Sequence, residues 1–275
     1  MAAAVPSAPR VVQEMTESLR TYLDMTFKDV KLVALDLEGI SLGRHGKISI
    51  VQLSTPEQCF LFDMLGKRSD DALAGWLRPI LESRDVVKII HDCRMDADAL
   101  MHHLGIRLEN VHDTSSWNAA ISGTVDANLN DTLAANLLME NKARDPDMYK
   151  INRAFWAVRP LTRKMIDWAA GDIESMFDLH RAQTAADTPQ RRKTANASAA
   201  FFLSTRDRKT GFVTVAAPWR FIGPGGSKIR ALRKRTDTEI YSAPSDTPGF
   251  HANMYLVYYS SQTSFDAVNV AARSS

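Results

Sequence analysis

The sequence predicts an α/β protein, a mixed sheet flanked by helices, followed by a smaller α+β module. Three observations carry that expectation. Short β-branched or aromatic runs in the first half give way to alternating strand and helix patterns, as in a sheet covered by helices. The first three runs follow one another too closely for intervening helices, which argues for a mixed rather than a wholly parallel sheet. Charge then divides the chain: residues 191–275 hold 13 Lys and Arg against 5 Asp and Glu, net +8, whereas residues 1–190 hold 21 against 27, net −6.

In chain order, strands are expected at 31–39 (KLVALDLEG), 47–55 (KISIVQLST), 59–64 (CFLFDM) and 86–92 (VVKIIHD), each bounded by Gly, Pro or charged residues. VHD at 111–113 reads as one more short strand. Helical patterns cover about 71–83, 94–104, 115–122, 129–139 and 162–186. Residues 185–200, AADTPQRRKTANASAA, have linker composition with a basic cluster and no apolar period. The chain is therefore divided into an N-terminal extension (1–27), a larger domain (28–186), a linker (187–205) and a smaller domain (206–275). In the smaller domain GFVTVAAP reads as a strand, and a Gly-rich turn leads into the helix SKIRALRKRT. A short strand at 239–242, a polar loop, the strand MYLVYYSS and a helix over about 265–273 complete it.

A chain of 275 residues that is 45% apolar can build a sizeable core. No run reaches the length of a membrane span, and the start lacks the apolar core of a secretion signal. Ala, Ser and Arg near the start have a transit-peptide flavour that Glu14, Glu17 and Asp24 oppose. Cys59 and Cys93 imply no disulfide framework and fit a reducing compartment. An intracellular protein, cytoplasmic or nuclear, is expected, with an organelle as the alternative. The two halves suit different partners: a basic module favours phosphates, and an acidic one that gathers carboxylates favours metal ions.

Within the strand VALDLEGI, Asp36 and Glu38 are two apart and so share one face. Like charges side by side in a partly desolvated place raise each other's pKa, and a cation is the natural remedy. Two further acids sit in suitable places. Asp96 lies early in the helix after a strong strand, and Asp172 lies on the long helix, four residues after Trp168 and on the face of Met165 and Met176. Four carboxylates converging at the end of a mixed sheet supply the hard oxygen ligands of a two-magnesium phosphoryl-transfer site. His91, His102, His103 and His112 form no ligand set at metal-site spacing.

The second informative stretch is RFIGPGGSKIRALRKRT. Ile222 leads into the G-x-x-G turn Gly223, Pro224, Gly225, Gly226, and Lys228 and Arg230 follow on a helix whose Ile229 and Leu232 face inward. Glycine lets the backbone approach a sugar-phosphate chain closely, and the helix N-terminus offers unpaired N–H groups and a positive dipole end. No Gly-Lys-Ser/Thr follows at Walker spacing.

Over about residues 28–182 the chain resembles the RNase D-like branch of the DEDD 3′-5′ exonucleases, the group that includes Egalitarian. The ordered motifs are LDLEG, HDCRMDADAL, HDTS at 112–115, RPLT at 159–162 and WAAGD ending in Asp172. The resemblance implies a ribonuclease H-like fold. It also implies a site in which Asp36, Glu38, Asp96 and Asp172 hold two Mg²⁺ or Mn²⁺ ions, with Asp113 structural. One departure stands out. A tyrosine usually precedes the last aspartate by four residues and helps orient the attacking water, but here that position is Trp168. Indole donates one N–H and accepts no proton. The sibling branch with histidine five residues before the aspartate fits no better, because that position is Asp167.

Residues 211–273 resemble a type I KH domain, through Ile-Gly-x-x-Gly-x-x-Ile followed by Leu232, Thr236 and Ile240. That implies a single-stranded RNA clamp at Ile222 to Gly226, Lys228 and Arg230. The expected function is a metal-dependent 3′-5′ exoribonuclease whose KH domain holds the substrate, with single-stranded RNA as partner and DNA as the alternative. The competing reading is an RNA-binding adaptor with a weak or silent exonuclease fold.

Overall fold

Nine residues, LVALDLEGI, form the strand around which the larger unit is built, and their alternation sends odd positions to one core and even positions to another. The computed structural model describes residues 7–145, 147–152, 154–243 and 251–275. It divides into two compact units, one up to Arg206 and one from Asp207 onward.

The first unit runs β1 (Ser7–Val12), α1 (Glu17–Thr26), β2 (Leu32–Ile40), β3 (Lys47–Ser54), β4 (Gln58–Asp63), α2 (Ala72–Leu81), β5 (Val87–Ile90), α3 (Arg94–Leu104) and β6 (Val111–Asp113). The helices α4 (Thr114–Ser122), α5 (Leu129–Ala135), α6 (Met148–Ile151), α7 (Arg163–Glu174), α8 (Met176–Ala185) and α9 (Pro189–Leu203) follow. Among the described residues the sheet order is β1-β4-β3-β2-β5-β6. The β2–β3 and β3–β4 pairs are antiparallel and the others parallel, giving the expected mixed sheet.

Two apolar cores cover its faces. Val33, Leu35 and Leu37 of β2 pack with Leu73 and Leu77 of α2 and Ala97 and Leu100 of α3. On the other face Ala34 packs with Met165, Trp168, Ala169 and Ile173 of α7. Each fully buried aliphatic side chain contributes roughly 1.5–3 kcal/mol. Asp36 and Glu38 continue the even register of Ala34, so the strand's period points both acids toward the α7 side.

Three sequence expectations are corrected here. The N-terminal extension is not separate from the fold: β1 pairs with β4, and α1, capped by Thr16, buries Leu19 and Leu23. The helix expected over 162–186 is two helices that meet at Ser175, whose hydroxyl donates to the Met139 carbonyl. The expected linker is largely helical. Thr188 caps α9 and Pro189 occupies its first turn, a pairing favourable to helix initiation. Small Ala195 and Ala199 form its buried face, so its contact is close but carries little hydrophobic signal.

After α9 the chain stays fastened. Arg44 donates to the carbonyls of Thr205 and Arg206, and Arg206 donates to the Leu108 carbonyl and pairs with Glu109.

The second unit runs β7 (Lys209–Thr214), α10 (Pro218–Ile222), α11 (Ser227–Thr236), β8 (Glu239–Ser242), β9 (Met254–Tyr259) and α12 (Gln262–Arg273). Its antiparallel sheet has the order β7-β9-β8. Val213, Phe221, Leu232, Ile240, Val257 and Val268 form its core. The strand expected from Gly211 to Pro218 starts earlier and stops at Thr214, because Pro218 opens a helix instead. Gly211 has a packing reason: a Cβ there would lie 2.5 Å from the Phe265 ring. The expected polar loop after β8 lies largely on 244–250, outside the described residues.

Candidate active site

β2 supplies the first two acids, and β3 and α7 close around them. Gln52, opposite Asp36 in the β2–β3 register, donates to Asp36 Oδ2 at 3.3 Å. The start of α7 is fixed by Arg159, which binds both carboxylate oxygens of Asp63 at 2.7 Å and the carbonyls of Trp156 and Val158. Thr162 then caps the helix by accepting from Met165 N–H. With α7 so placed, its inward stripe of Met165, Trp168 and Asp172 lies over β2. One carboxylate oxygen each from Asp36, Glu38 and Asp172 come within 4.8 Å of one another.

Asp172 is fully buried and heavily engaged. Trp168 Nε1 donates to its Oδ2 at 3.0 Å, Arg144 Nη1 donates to the same oxygen at 2.9 Å, and Asn141 Nδ2 donates to Oδ1 at 2.9 Å. Asn141 also donates to the Trp168 carbonyl, and its Oδ1 accepts from Ala143 N–H. The Asn141 backbone is in turn held at both N–H and C=O by the Asn130 carboxamide. Gly171 makes room for this: a Cβ there would fall 2.5 Å from Asn141 Oδ1. The glycine of WAAGD is therefore the seat of a carboxamide. Asn141 and Arg144 are site residues that the sequence reading missed.

Asp96 stands apart from the group of three. It enters from the first turn of α3 and faces Asp36 electrostatically, and its buried Oδ1 has no hydrogen-bond partner among the described residues. Asp113 sets that helix start, accepting from Cys93 N–H at 2.8 Å while capping α4 through Ser116 N–H. His91 is tied to Thr114 Oγ1 and the Ala127 carbonyl, a structural role. Asp167 points away and pairs with Arg163.

Burial, followed by the charge of Asp172, pushes the Asp36 carboxyl up to about 7, against the pull of Arg144, Leu37 N–H and Gln52. Burial and then Asp36 likewise push Asp96 well above the usual carboxylate range. Burial works against the Arg144 charge but is outweighed by Asp172, Asp36 and Glu38, which hold the guanidinium above its ordinary value. These hard oxygen donors, including an unpartnered buried one, fit a divalent cation such as Mg²⁺ or Mn²⁺.

In the second unit, Gly223, Gly225 and Gly226 all have positive φ, a conformation that L side chains rarely adopt. A Cβ at Gly223 would meet Lys228 Cγ, and one at Gly226 would meet Arg230 Nη1, so both basic side chains fold back over the turn. Pro224 and Gly225 are exposed at its tip, and Ile222 packs against the core.

Over residues 13–183 the chain matches the family described as 3′-5′ exonuclease. The chain belongs to that family. Relatives of this exonuclease domain include piRNA biogenesis protein EXD1 of Mus musculus, 30% identical over 167 residues, 55% of this chain and 29% of the relative. Exosome complex exonuclease RRP6 of Saccharomyces cerevisiae is 29% identical over 175 residues, 63% of this chain and 22% of the relative. The matched region thus spans less than a third of the length of these curated relatives. Among solved structures, Trypanosoma brucei RNase D superposes with a TM-score of 0.61 at 23% identity, covering 73% of each chain. Brucella melitensis NrnC with bound Mg²⁺ gives 0.58 at 20% identity, covering 73% of this chain and 92% of that one. Both likenesses concern the fold of the exonuclease domain.

Two measurements check this geometry. An acid whose folded pKa is raised favours the folded state below its unfolded pKa and loses that advantage as pH rises through the folded value. In chelator, Asp36→Asn should therefore gain melting temperature relative to the native chain as pH goes from 5 to 8, and a constant difference would contradict the raised pKa. Gly171→Ala should lower stability by about 1–3 kcal/mol through overpacking against Asn141, read by urea unfolding.

Proposed function

We propose that the first unit is a divalent-metal-dependent 3′-5′ exonuclease acting on single-stranded RNA, and that the second is a type I KH module that holds the strand. The observation that carries this is the approach of Asp36, Glu38 and Asp172 to within 4.8 Å in a chain of the 3′-5′ exonuclease family. RNA is favoured by the relatives' own names, an exosome exonuclease and ribonuclease D, and by a solved Trypanosoma brucei RNase D complex with RNA U12.

In this reading Asp36, Glu38 and Asp172 hold the cation, and the unpartnered oxygen of Asp96 completes the donor set. A bound divalent ion would supply Lewis-acid stabilisation and a more acidic water. The chain's own groups set the geometry. Asn141 and Trp168 fix the Asp172 carboxylate, and Asp113 fixes the helix start that carries Asp96. The Trp168 indole cannot take up a proton, and Asp167, turned toward Arg163, does not replace the missing hydroxyl. Loss of a positioned acid-base group typically costs about 10²- to 10⁴-fold in rate. The expected enzyme is slow.

For the second unit, support comes from the order β7-α10-α11-β8-β9-α12, the three left-handed glycines and the basic excess of residues 191–275. Lys228 and Arg230 beside the turn suit a phosphate backbone. A second reading, an RNA-binding adaptor with a silent nuclease fold, is favoured by one observation: both oxygens of Asp172 are already engaged by Trp168, Arg144 and Asn141.

The deciding experiment is a time course with 5′-labelled single-stranded RNA in Mg²⁺ or Mn²⁺, with single-stranded DNA run in parallel. A ladder shortening from the 3′ end in the native chain, absent in an Asp36→Asn, Glu38→Gln double variant, is expected. Intact RNA that remains bound would favour the adaptor. Gly225→Asp tests the second unit cleanly, because nothing lies within 4 Å of a Cβ there and aspartate tolerates the left-handed backbone. Its charge should weaken RNA binding about tenfold at low salt, measured by filter binding, and unchanged affinity would remove the turn from RNA contact.

A further inference from the structure

We propose that Arg144 is a built-in cation of the carboxylate cluster, so that the native chain binds one divalent ion fewer than the same chain without that guanidinium. The inference rests on the reading that the cluster binds metal. Its basis is placement. Arg144 Nη1 lies 2.9 Å from Asp172 Oδ2, and the guanidinium also interacts with Asp36 and Glu38. It thus touches one of the three converging acids, and its charge acts on the other two.

The loop that carries it is fastened on both sides. Asn130 clamps the Asn141 backbone, and Asn141 Oδ1 accepts from Ala143 N–H, one residue before the arginine. One residue after it, Asp145 pairs with Lys164 of α7 at 2.8 Å. The guanidinium is therefore delivered by a pinned segment rather than by a wandering surface side chain.

Coordination capacity and charge lead to the same end. A carboxylate offers about four acceptor positions, and three donors already occupy three of those of Asp172, one of them Arg144. The ionised cluster of Asp36, Glu38, Asp96 and Asp172 carries four negative charges and Arg144 one positive. One divalent ion leaves a net charge of −1, whereas two would make the centre positive with the guanidinium crowded against a dication. Removal of Arg144 restores the charge balance that two divalent ions satisfy. A guanidinium in such a place also suits a phosphate, since arginine binds and neutralises phosphoryl oxygens.

The test is Mn²⁺ titration by calorimetry on the full, chelator-stripped chain in three forms: native, Arg144→Gln and Arg144→Lys. The expected result is one more Mn²⁺ per chain in Arg144→Gln than in the native protein, with Arg144→Lys, which keeps the charge, matching the native count. Equal stoichiometry in native and Arg144→Gln, with metal bound by both, would overturn the inference and leave the metal-dependent reading standing. No Mn²⁺ bound by either would overturn both. Should Arg144→Gln prove too unstable for calorimetry, the rise in melting temperature on adding Mn²⁺ serves instead. It should be larger in Arg144→Gln than in the native chain, and an equal or smaller rise counts against the proposal.

Discussion

Carboxylates drawn together in a desolvated place repel one another, and the first unit is arranged around satisfying them. Asp36 and Glu38 are delivered by the pleat of a central strand, and Asp172 by a helix anchored through Arg159 and Thr162. Bringing the acids together does not by itself lower the electrostatic cost. That falls to Gln52, the Leu37 N–H, Asn141, Trp168 and above all Arg144, the positive charge that Asp172 touches. Even with this help Asp36 and Asp96 keep raised pKa values, so the site still favours a cation.

Trp168 shows how one position can exchange chemistry for order. Packed against Phe155 and Trp156 and wholly buried, it fills the inner face of α7 as any large apolar residue would. Its one polar atom is aimed at Asp172, so the side chain orients a candidate ligand. What it gives up is a group able to accept a proton. The same helix face thus holds its carboxylate firmly and offers no base beside it.

Much of this was legible in the sequence because it depends on period. Alternation placed Asp36 and Glu38 on one face, and the four-residue step from Trp168 to Asp172 placed them on one side of a helix. Its place early in a helix after a strong strand marked Asp96 as a candidate, and the resemblance to known exonucleases joined it to the other acids, because its approach depends on tertiary packing. Asn141 and Arg144 were not legible, since they lie in irregular chain where no period marks burial. A half-buried arginine there looks like any surface arginine until its partner is known. The helix α9 was hidden for a different reason: it packs through alanines, so its buried face carries almost no hydrophobic contrast. The start of the chain was underread, although Thr16 followed by Leu19 and Leu23 is a capped amphipathic pattern.

The docking of α9 bears on where this protein can be cut. A fragment ended at residue 186, the boundary its composition suggests, would strip the helix from α4 and α3 and leave Arg94 without the Phe202 ring that it covers. Such a piece would carry every acid of the cluster and yet be a damaged fold with fresh apolar surface, prone to clump for reasons unrelated to catalysis. The natural seam lies some twenty residues later, after Arg206 has closed onto Leu108.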